Sequence, residues 1–94
     1  KAEEAYKAKN YEEASKHFVA VTGLIDIPEI IKDAHYNAAC CFALLGNKAE
    51  ALKHLELSLK NGWDDFDHIG KDTDFDSIKE DPAFKALIAK YSAK

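Results

Sequence analysis

The sequence predicts an all-α fold made of helical hairpins, and two observations lead to that prediction. Apolar residues recur at intervals of three and four, which is the spacing of one face of a helix. In the first hairpin these residues are Tyr11, Ala14, Phe18, Val21 and Ile25. In addition, residues 10–18 (NYEEASKHF) are echoed by residues 47–55 (NKAEALKHL), 37 residues later. A self-similar pattern at that period is typical of repeated helical units, and no strand-like alternation interrupts it.

Glycine, proline and asparagine mark the ends of the predicted helices. Gly23 and the sequence Asp26-Ile27-Pro28 indicate the first connection, with Asp26 or the residue after it as the helix cap. Gly46-Asn47 and Asn61-Gly62 indicate the ends of the next two helices, because glycine adopts the left-handed conformation that a helix end requires. We therefore predict helices at about 11–25, 29–45 and 48–60, preceded by a helical segment at 1–8.

The last third of the chain has a different pattern. Trp63, Phe66 and Ile69 are spaced by three, as are Phe75 and Ile78. This spacing predicts two short helical turns, separated by Gly70-Lys71 and each capped by an aspartate. Asp81-Pro82 then begins a final helix whose apolar stripe is Phe84, Leu87, Ile88 and Tyr91. We expect that stripe to pack against residues 52–59.

The residues at the helix crossings carry a family resemblance. In the second hairpin, small residues occupy three positions of the pattern, at Ala39, Ala51 and Ser58. The aromatic, turn and large apolar positions are Phe42, Gly46 and Leu55. This hairpin resembles the tetratricopeptide repeat (TPR). In the first hairpin Ala14 and Phe18 match the same pattern, whereas Lys9 and Val21 stand where Gly and Ala are usual.

The C-terminal third, from Gly62-Trp63-x-Asp65 to Asp81-Pro82-x-Phe84-x-x-Leu87, is similar to the closing segment of many bacterial TPR-containing proteins. The resemblance implies a single domain, 1–94, that is an α-solenoid fragment with a right-handed superhelix. It divides the chain into a truncated first repeat at 1–26, a second repeat at 27–62, and an acidic linker with a capping helix at 63–94.

The same resemblance implies a non-catalytic module that binds a protein or a peptide, as the C-terminal part of a longer bacterial protein. The groove of such a module is lined by the first helix of each hairpin, and the matching positions here are Asp33, Tyr36, Asn37, Cys40 and Ala43. Asn37 stands where peptide-carboxylate-binding TPRs use Asn, but Glu3 stands at a second such position, and a third repeat with its basic residues is missing. Asn37 is therefore either a peptide contact or a solvent-facing polar residue, and Tyr36 either lines the groove or stacks beside Tyr11 or Phe42.

Charge and hydropathy exclude some partners. The chain has a formal net charge of −4, and residues 63–81 hold eight acidic residues against Lys71 and Lys79. Such a segment repels phosphate backbones, so we predict no nucleic-acid partner. Lys85, Lys90 and Lys94 of the last helix could offset those acids locally. No apolar run approaches the length that spans a bilayer, and no signal segment opens the chain.

Candidate chemical motifs are incomplete. Asp72-x-Asp74-x-Asp76 resembles the start of a calcium loop, but Ser77 replaces the required Gly and Ala83 the bidentate Glu. His17, His35, His54 and His68 form no metal-binding spacing, and the equivalent positions of His17 and His54 indicate a shared structural surface. The adjacent Cys40 and Cys41 suit a buried apolar role, since neighbours on a helix do not form a disulfide. We predict no metal, no cofactor and no enzymatic activity.

Two alternatives remain open from the sequence. The face around Ala2, Ala5 and Tyr6 would be open in a two-repeat fragment, so missing repeats or a second copy in a homodimer must cover it. The chain begins at Lys1, without Met and partway through a predicted helix, so we expect a piece of a longer protein, in which it could also be a regulatory appendage of an upstream enzyme. Free thiols fit a reducing compartment such as the cytoplasm, and a periplasmic origin stays open.

Overall fold

The structure, a computed structural model, describes residues 11–93 of the chain. This part consists of helices joined by turns and contains no strand, which confirms the all-α prediction for it. The helices are α1 (Tyr11–Leu24), α2 (Pro28–Leu44), α3 (Lys48–Lys60), α4 (Phe66–Lys71) and α5 (Pro82–Ser92), with a 3₁₀ turn at Thr73–Phe75 between α4 and α5. None of these helices combines the length and the apolar character needed to span a bilayer.

The ends of α2 and α3 are closed by the same motif. Gly46 and Gly62 have φ angles of 79° and 110°, in the region that only glycine enters readily. After each glycine the next amide returns to the preceding helix, from Asn47 N–H to the Phe42 carbonyl at 2.9 Å and from Trp63 N–H to the Ser58 carbonyl at 3.1 Å. Both are Schellman motifs, and both helix ends lie where the sequence predicts them.

Aspartates cap the short helices, as predicted. Asp65 accepts from the His68 amide at the start of α4, and Asp72 accepts from the Asp74 amide at the start of the 3₁₀ turn. Asp81 accepts from the Ala83 amide at the start of α5. The boundary between the two short turns was predicted wrongly, because Gly70 and Lys71 belong to α4. The chain breaks at Asp72, whose side chain stabilises the following turn.

At the first connection the structure decides between the two caps that the sequence leaves open. Ile27, and not Asp26, is the N-cap residue of α2, and its side chain makes no capping hydrogen bond. Pro28 lies in the first helical turn as predicted, where its missing N–H has no cost. The connection therefore depends on proline geometry and on backbone bonds such as Ile31 N–H to the Ile27 carbonyl, at 2.9 Å.

Helix α2 is the centre of the hairpins and packs against both α1 and α3. Small residues allow this close approach, and Ala14, Ala39 and Ala51 are completely buried. Ser58 on α3 is also completely buried, and its hydroxyl donates to the Lys32 carbonyl of α2 at 2.7 Å. The small positions singled out from the sequence are thus fully buried between the packed helices.

Residues 63–81, here termed the C-terminal segment, fold back onto the hairpin. The 3₁₀ turn packs on α2, and α5 packs on α3. Ile69, Phe75, Ile78 and Phe84 are buried in one cluster with Leu55 and Leu59, and Leu87, Ile88 and Tyr91 pack against its edge. The predicted contact between the last helix and α3 is therefore confirmed.

Charged groups at the surface support this packing only weakly. Tyr91 and Lys90 of α5 both donate to Glu56 of α3, at 3.0 and 3.3 Å, and Lys85 pairs with Glu80 at 3.0 Å. Exposed pairs of this kind contribute little to stability. The hydrogen bond from Tyr91 is the main reason that the pKa of Glu56 is lowered.

We predict opposite effects of alanine at two glycines. Gly62→Ala should lower the free energy of unfolding by about 1–2 kcal/mol, because a Cβ is strained at a φ of 110°. Gly23→Ala should raise the free energy of unfolding by about 0.5–1 kcal/mol, since Gly23 lies within α1 and nothing approaches its Cβ position within 4 Å. Urea unfolding followed by circular dichroism measures both, and equal effects at the two positions would contradict the assigned turn.

Several predictions concern residues outside the described part of the chain. They are the helix at 1–8, the Lys9 and Glu3 positions, the face around Ala2, Ala5 and Tyr6, and the role of Lys94.

Candidate protein-binding face

Helix α2 has a covered side and an exposed side. Tyr36, Cys40 and Ala43 lie on the covered side, beneath the C-terminal segment. Ile30, Asp33 and Asn37 are exposed. Their spacing of three and four places them along one line of the helix, and we call them the α2 stripe. Because the five predicted groove residues fall on both sides, only Asp33 and Asn37 are accessible to a partner in this arrangement.

Tyr36 is an internal packing residue and only 4% of its surface is exposed. Its ring stacks on Trp63 with centroids 4.0 Å apart and an interplanar angle of 3°. The edge of Phe75 meets the same ring at 5.5 Å. Neither sequence interpretation of Tyr36 is correct here, because the ring neither lines an open groove nor stacks beside Tyr11 or Phe42. Its partners come from the C-terminal segment.

Asp72 joins the C-terminal segment to α2 by hydrogen bonds. The Tyr36 hydroxyl donates to Oδ2 of Asp72 at 2.6 Å, and the Cys40 thiol approaches the same oxygen at 3.6 Å. The other carboxylate oxygen accepts from the Asp74 amide. Further along, the Ser77 hydroxyl donates to the Ala43 carbonyl at 3.2 Å. Polar contacts therefore fix the segment over each of the three covered residues.

Burial keeps the groups on the covered side neutral. Desolvation, followed by the Asp72 carboxylate, raises the pKa of Tyr36 far above its usual value. Desolvation also raises the pKa of the Cys40 thiol strongly and that of Cys41 to about 12. A thiol must ionise to act as a nucleophile or a metal ligand. Cys40 and Cys41 thus serve as small buried side chains, which is the role that the sequence favours.

One group of potential metal ligands lies in this region. Ligand atoms of Cys40, Asp72 and Asp74 lie within 4.8 Å of one another. Their arrangement already serves hydrogen bonding, since Asp72 receives the Tyr36 hydroxyl and the Cys40 thiol is held protonated. Asp76, the third acid of the calcium-like spacing, is exposed and pairs with Lys79 at 3.1 Å. The three carboxylates of that spacing therefore do not converge.

A shallow hollow lies between α2 and the start of the C-terminal segment. A hollow of about 190 Å³ is lined by Lys32 of α2 and by Trp63, Asp64 and Asp65 of the C-terminal segment. The Trp63 ring is half-buried, and its indole N–H donates to the Asp65 carbonyl at 3.3 Å. Asp33, the residue after Lys32, has a side chain that is 60% exposed and pairs loosely with Lys32 at 3.7 Å. The hollow therefore combines one basic and two acidic residues with an aromatic ring, and none of its lining residues belongs to the α2 stripe.

Exposed apolar residues lie around the N-terminal end of α2. Leu24, Ile27 and Ile30 have 83%, 48% and 40% of their surface exposed at the turn between α1 and α2. Ile30 belongs to the α2 stripe and is bonded through its amide to the Ile27 carbonyl at 3.0 Å. The stripe thus combines apolar, acidic and amide groups, which suits a mixed protein surface better than a small polar ligand.

Sequence reasoning missed a second cluster, on the side of α2 that faces α3. His35 and His54 are buried and lie side by side, whereas His17 is exposed. The inference of a shared surface for His17 and His54 is therefore wrong. His54 packs against Phe42 and His35, and the contact with His35 depends on how two helices are rotated about their axes.

Comparison with known proteins finds a relative in a plant. The chain is 35% identical over 85 residues to a chloroplast protein of Arabidopsis thaliana, a match that covers 90% of this chain and 25% of the relative. The chain thus spans about a quarter of the length of that relative. No protein-family model matches the chain, and no solved structure matches it. The bacterial origin implied by the closing segment stays a prediction, since this relative comes from a plant.

Proposed function

We propose that the chain is a TPR-like module that binds a protein or peptide segment through the α2 stripe, without catalysis. The observation that carries the proposal is the division of α2 into two sides. Its covered side is fully used by the fold, while Ile30, Asp33 and Asn37 remain exposed on a rigid helix. Exposed residues held on a rigid scaffold are well suited to recognition, because little entropy is lost when a partner binds.

The groups on the stripe suggest how a segment would bind. The Asn37 amide can donate to and accept from a peptide backbone, and Asp33 can accept from amides or pair with a basic side chain. Ile30 supplies apolar contact at the same surface. Ala39 and Ala51, both completely buried, allow the close packing of the helices that present these groups. The non-catalytic assignment is supported by the raised pKa values of Cys40 and Cys41, which oppose thiolate chemistry.

Mutation of the stripe tests the proposal. Proteins captured by the immobilised chain are identified, and the dissociation constant of the purified partner is then measured. We expect the double variant Asp33→Ala, Asn37→Ala to bind at least about 10-fold more weakly, since each central contact contributes roughly 1 kcal/mol or more. Its thermal unfolding should remain that of the wild type, because both side chains are exposed.

Asp67→Ala provides the matched control, because Asp67 is an exposed aspartate on α4, a different helix from the one that carries the stripe. It should bind the partner like the wild type. A partner that binds the stripe variant and the wild type equally would remove the stripe from the proposal. If neither the immobilised chain nor the full-length protein captures a partner from cell extracts, the binding function itself is contradicted.

Self-association remains the second prediction, but its proposed face lies outside the described residues. Sedimentation at several protein concentrations tests it, because a homodimer changes its average mass with concentration, whereas a monomer does not. The third prediction is that the chain is a regulatory appendage of a longer enzyme. It is tested by measuring the activity of the full-length protein with and without this segment. The partial coverage of the chloroplast relative makes that longer context relevant.

A further inference from the structure

The contact between α2 and α3 contains two buried imidazoles that the proposed binding function does not use. His35 and His54 are 8% and 5% exposed. Their Nδ1 atoms lie 3.0 Å apart, and their rings are stacked with centroids separated by 5.2 Å. Phe42 covers the other side of the contact and stacks on His54 at 5.3 Å. We call His35 and His54 the imidazole pair.

The 3.0 Å separation requires that one Nδ1 atom donates and the other accepts. Nε2 of His54 lies 3.7 Å from the Glu50 carboxylate, which favours a proton on that nitrogen. His54 then accepts at Nδ1, and His35 donates. The first added proton leaves this N–H···N contact in place, since an imidazolium can donate to a neutral imidazole. A second proton removes the acceptor and brings two positive rings together in a desolvated site.

We propose that the imidazole pair is an acid-sensitive latch between α2 and α3, which holds the hairpin closed while at most one proton is added and opens it when both rings are protonated. Because the pair lies between α2 and α3, double protonation would push these two helices apart. A surface cleft of about 380 Å³ lies next to the pair, and two of its lining residues, Phe42 and Glu50, contact His54.

The charged groups that the structure places around the pair within residues 11–93 do not balance two positive rings. On α3, Glu50 favours the charged form of His54, and Lys53 opposes it. On α1, Lys16 lines the same cleft as Glu50. On α2, Lys32 lies one turn before His35 and pairs loosely with Asp33. The Glu50 carboxylate lies 3.7 Å from His54, and burial lowers the pKa of both histidines.

The sign of the pH dependence follows from these shifts. An unfolded histidine has a pKa of about 6.5, whereas the folded pair resists protonation. Below about pH 6.5 the unfolded chain therefore binds more protons than the folded chain, and stability falls as the pH falls. Glu56 and Asp81 have lowered pKa values and lose their contribution only in more acidic solution, as the pH falls through the range in which carboxylates titrate. The change in stability between about pH 7 and pH 5 therefore reports on the imidazole pair and not on these carboxylates.

The test is urea unfolding of the whole chain at pH values between about 7 and 5, together with NMR titration of the imidazole nitrogens. We expect the folding equilibrium constant to fall slowly near pH 7 and to approach a fall of about 10- to 100-fold per pH unit towards pH 5, for one or two protons taken up on unfolding. The NMR signals of His35 and His54 should change together, and contacts between α2 and α3 should be lost when the second proton binds.

Two variants separate the latch from general acid sensitivity. His35→Asn with His54→Asn replaces both rings by amides, which hydrogen-bond without titrating, and should lose most of this pH dependence. His17→Gln alters an exposed histidine and should follow the wild-type profile, because the pair is intact. If the double variant does not fold, the wild-type NMR titration decides. Stability that is constant from about pH 7 to pH 5, or α2–α3 contacts that survive double protonation, would overturn the proposal.

Discussion

Replacement of Phe75 by alanine is expected to lower the free energy of unfolding by about 3–5 kcal/mol. Phe75 is completely buried, its ring edge meets Tyr36 at 5.5 Å, and its centroid lies 5.8 Å from that of Phe84. Its loss would leave a cavity at the point where the C-terminal segment, α2 and α5 meet. A chain of this size has a total stability of roughly 5–14 kcal/mol, so the variant should unfold at a much lower urea concentration.

Phe66→Ala is the matched control for Phe75. Phe66 is in the same segment, but it is half-buried and packs against the edge of the core, so the loss should be clearly smaller. Urea unfolding monitored by far-ultraviolet circular dichroism measures both variants. Equal small losses for the two would mean that the C-terminal segment is attached only loosely to the hairpin, contrary to the structure.

Phe75 also shows which parts of the fold can be predicted from sequence. Helix ends depend on residues that are close together in the sequence. The helix ends at Gly46 and Gly62 and the helix starts at the capping aspartates can therefore be predicted from the amino-acid pattern alone. The burial of Phe75 and Ile78 was indicated only by their spacing. Their position over α2 could not be derived, because the contact from Tyr36 to Asp72 joins residues 36 positions apart. Such a pairing depends on the path of the whole chain.

The candidate site was predictable to a smaller extent, and for a related reason. The five groove residues were placed by analogy with a family in which the first helix of a hairpin faces an open groove. Here the C-terminal segment occupies the side of α2 that bears Tyr36, Cys40 and Ala43, and it leaves Asp33 and Asn37 exposed. The imidazole pair escaped prediction because the two histidines are 19 positions apart on different helices. Only the relative rotation of α2 and α3 brings them together.

Tyr36→Ala is expected to lower the free energy of unfolding by about 3–5 kcal/mol, whereas Asn37→Ala, one position further along α2, should change it by less than about 0.5 kcal/mol. The contrast follows from the two sides of the helix. Removal of the Tyr36 ring deletes the stack on Trp63 and the contact with Phe75, while Asn37 is exposed. Thermal and urea unfolding of the two variants under the same conditions measure the difference.

Tyr36→Phe separates the hydroxyl from the ring. The variant keeps the stack but removes the 2.6 Å hydrogen bond to Asp72, and we expect a loss of about 1–2 kcal/mol, since Asp72 is only partly buried and water can replace the donor. If Tyr36→Ala instead left stability unchanged, the ring would lie in solvent, as an open groove requires, and the C-terminal segment would not cover it. If the expected loss of stability is found, weak binding by a Tyr36 variant reflects unfolding and not the loss of a contact with the partner. The binding surface must therefore be mapped with variants of Asp33 and Asn37.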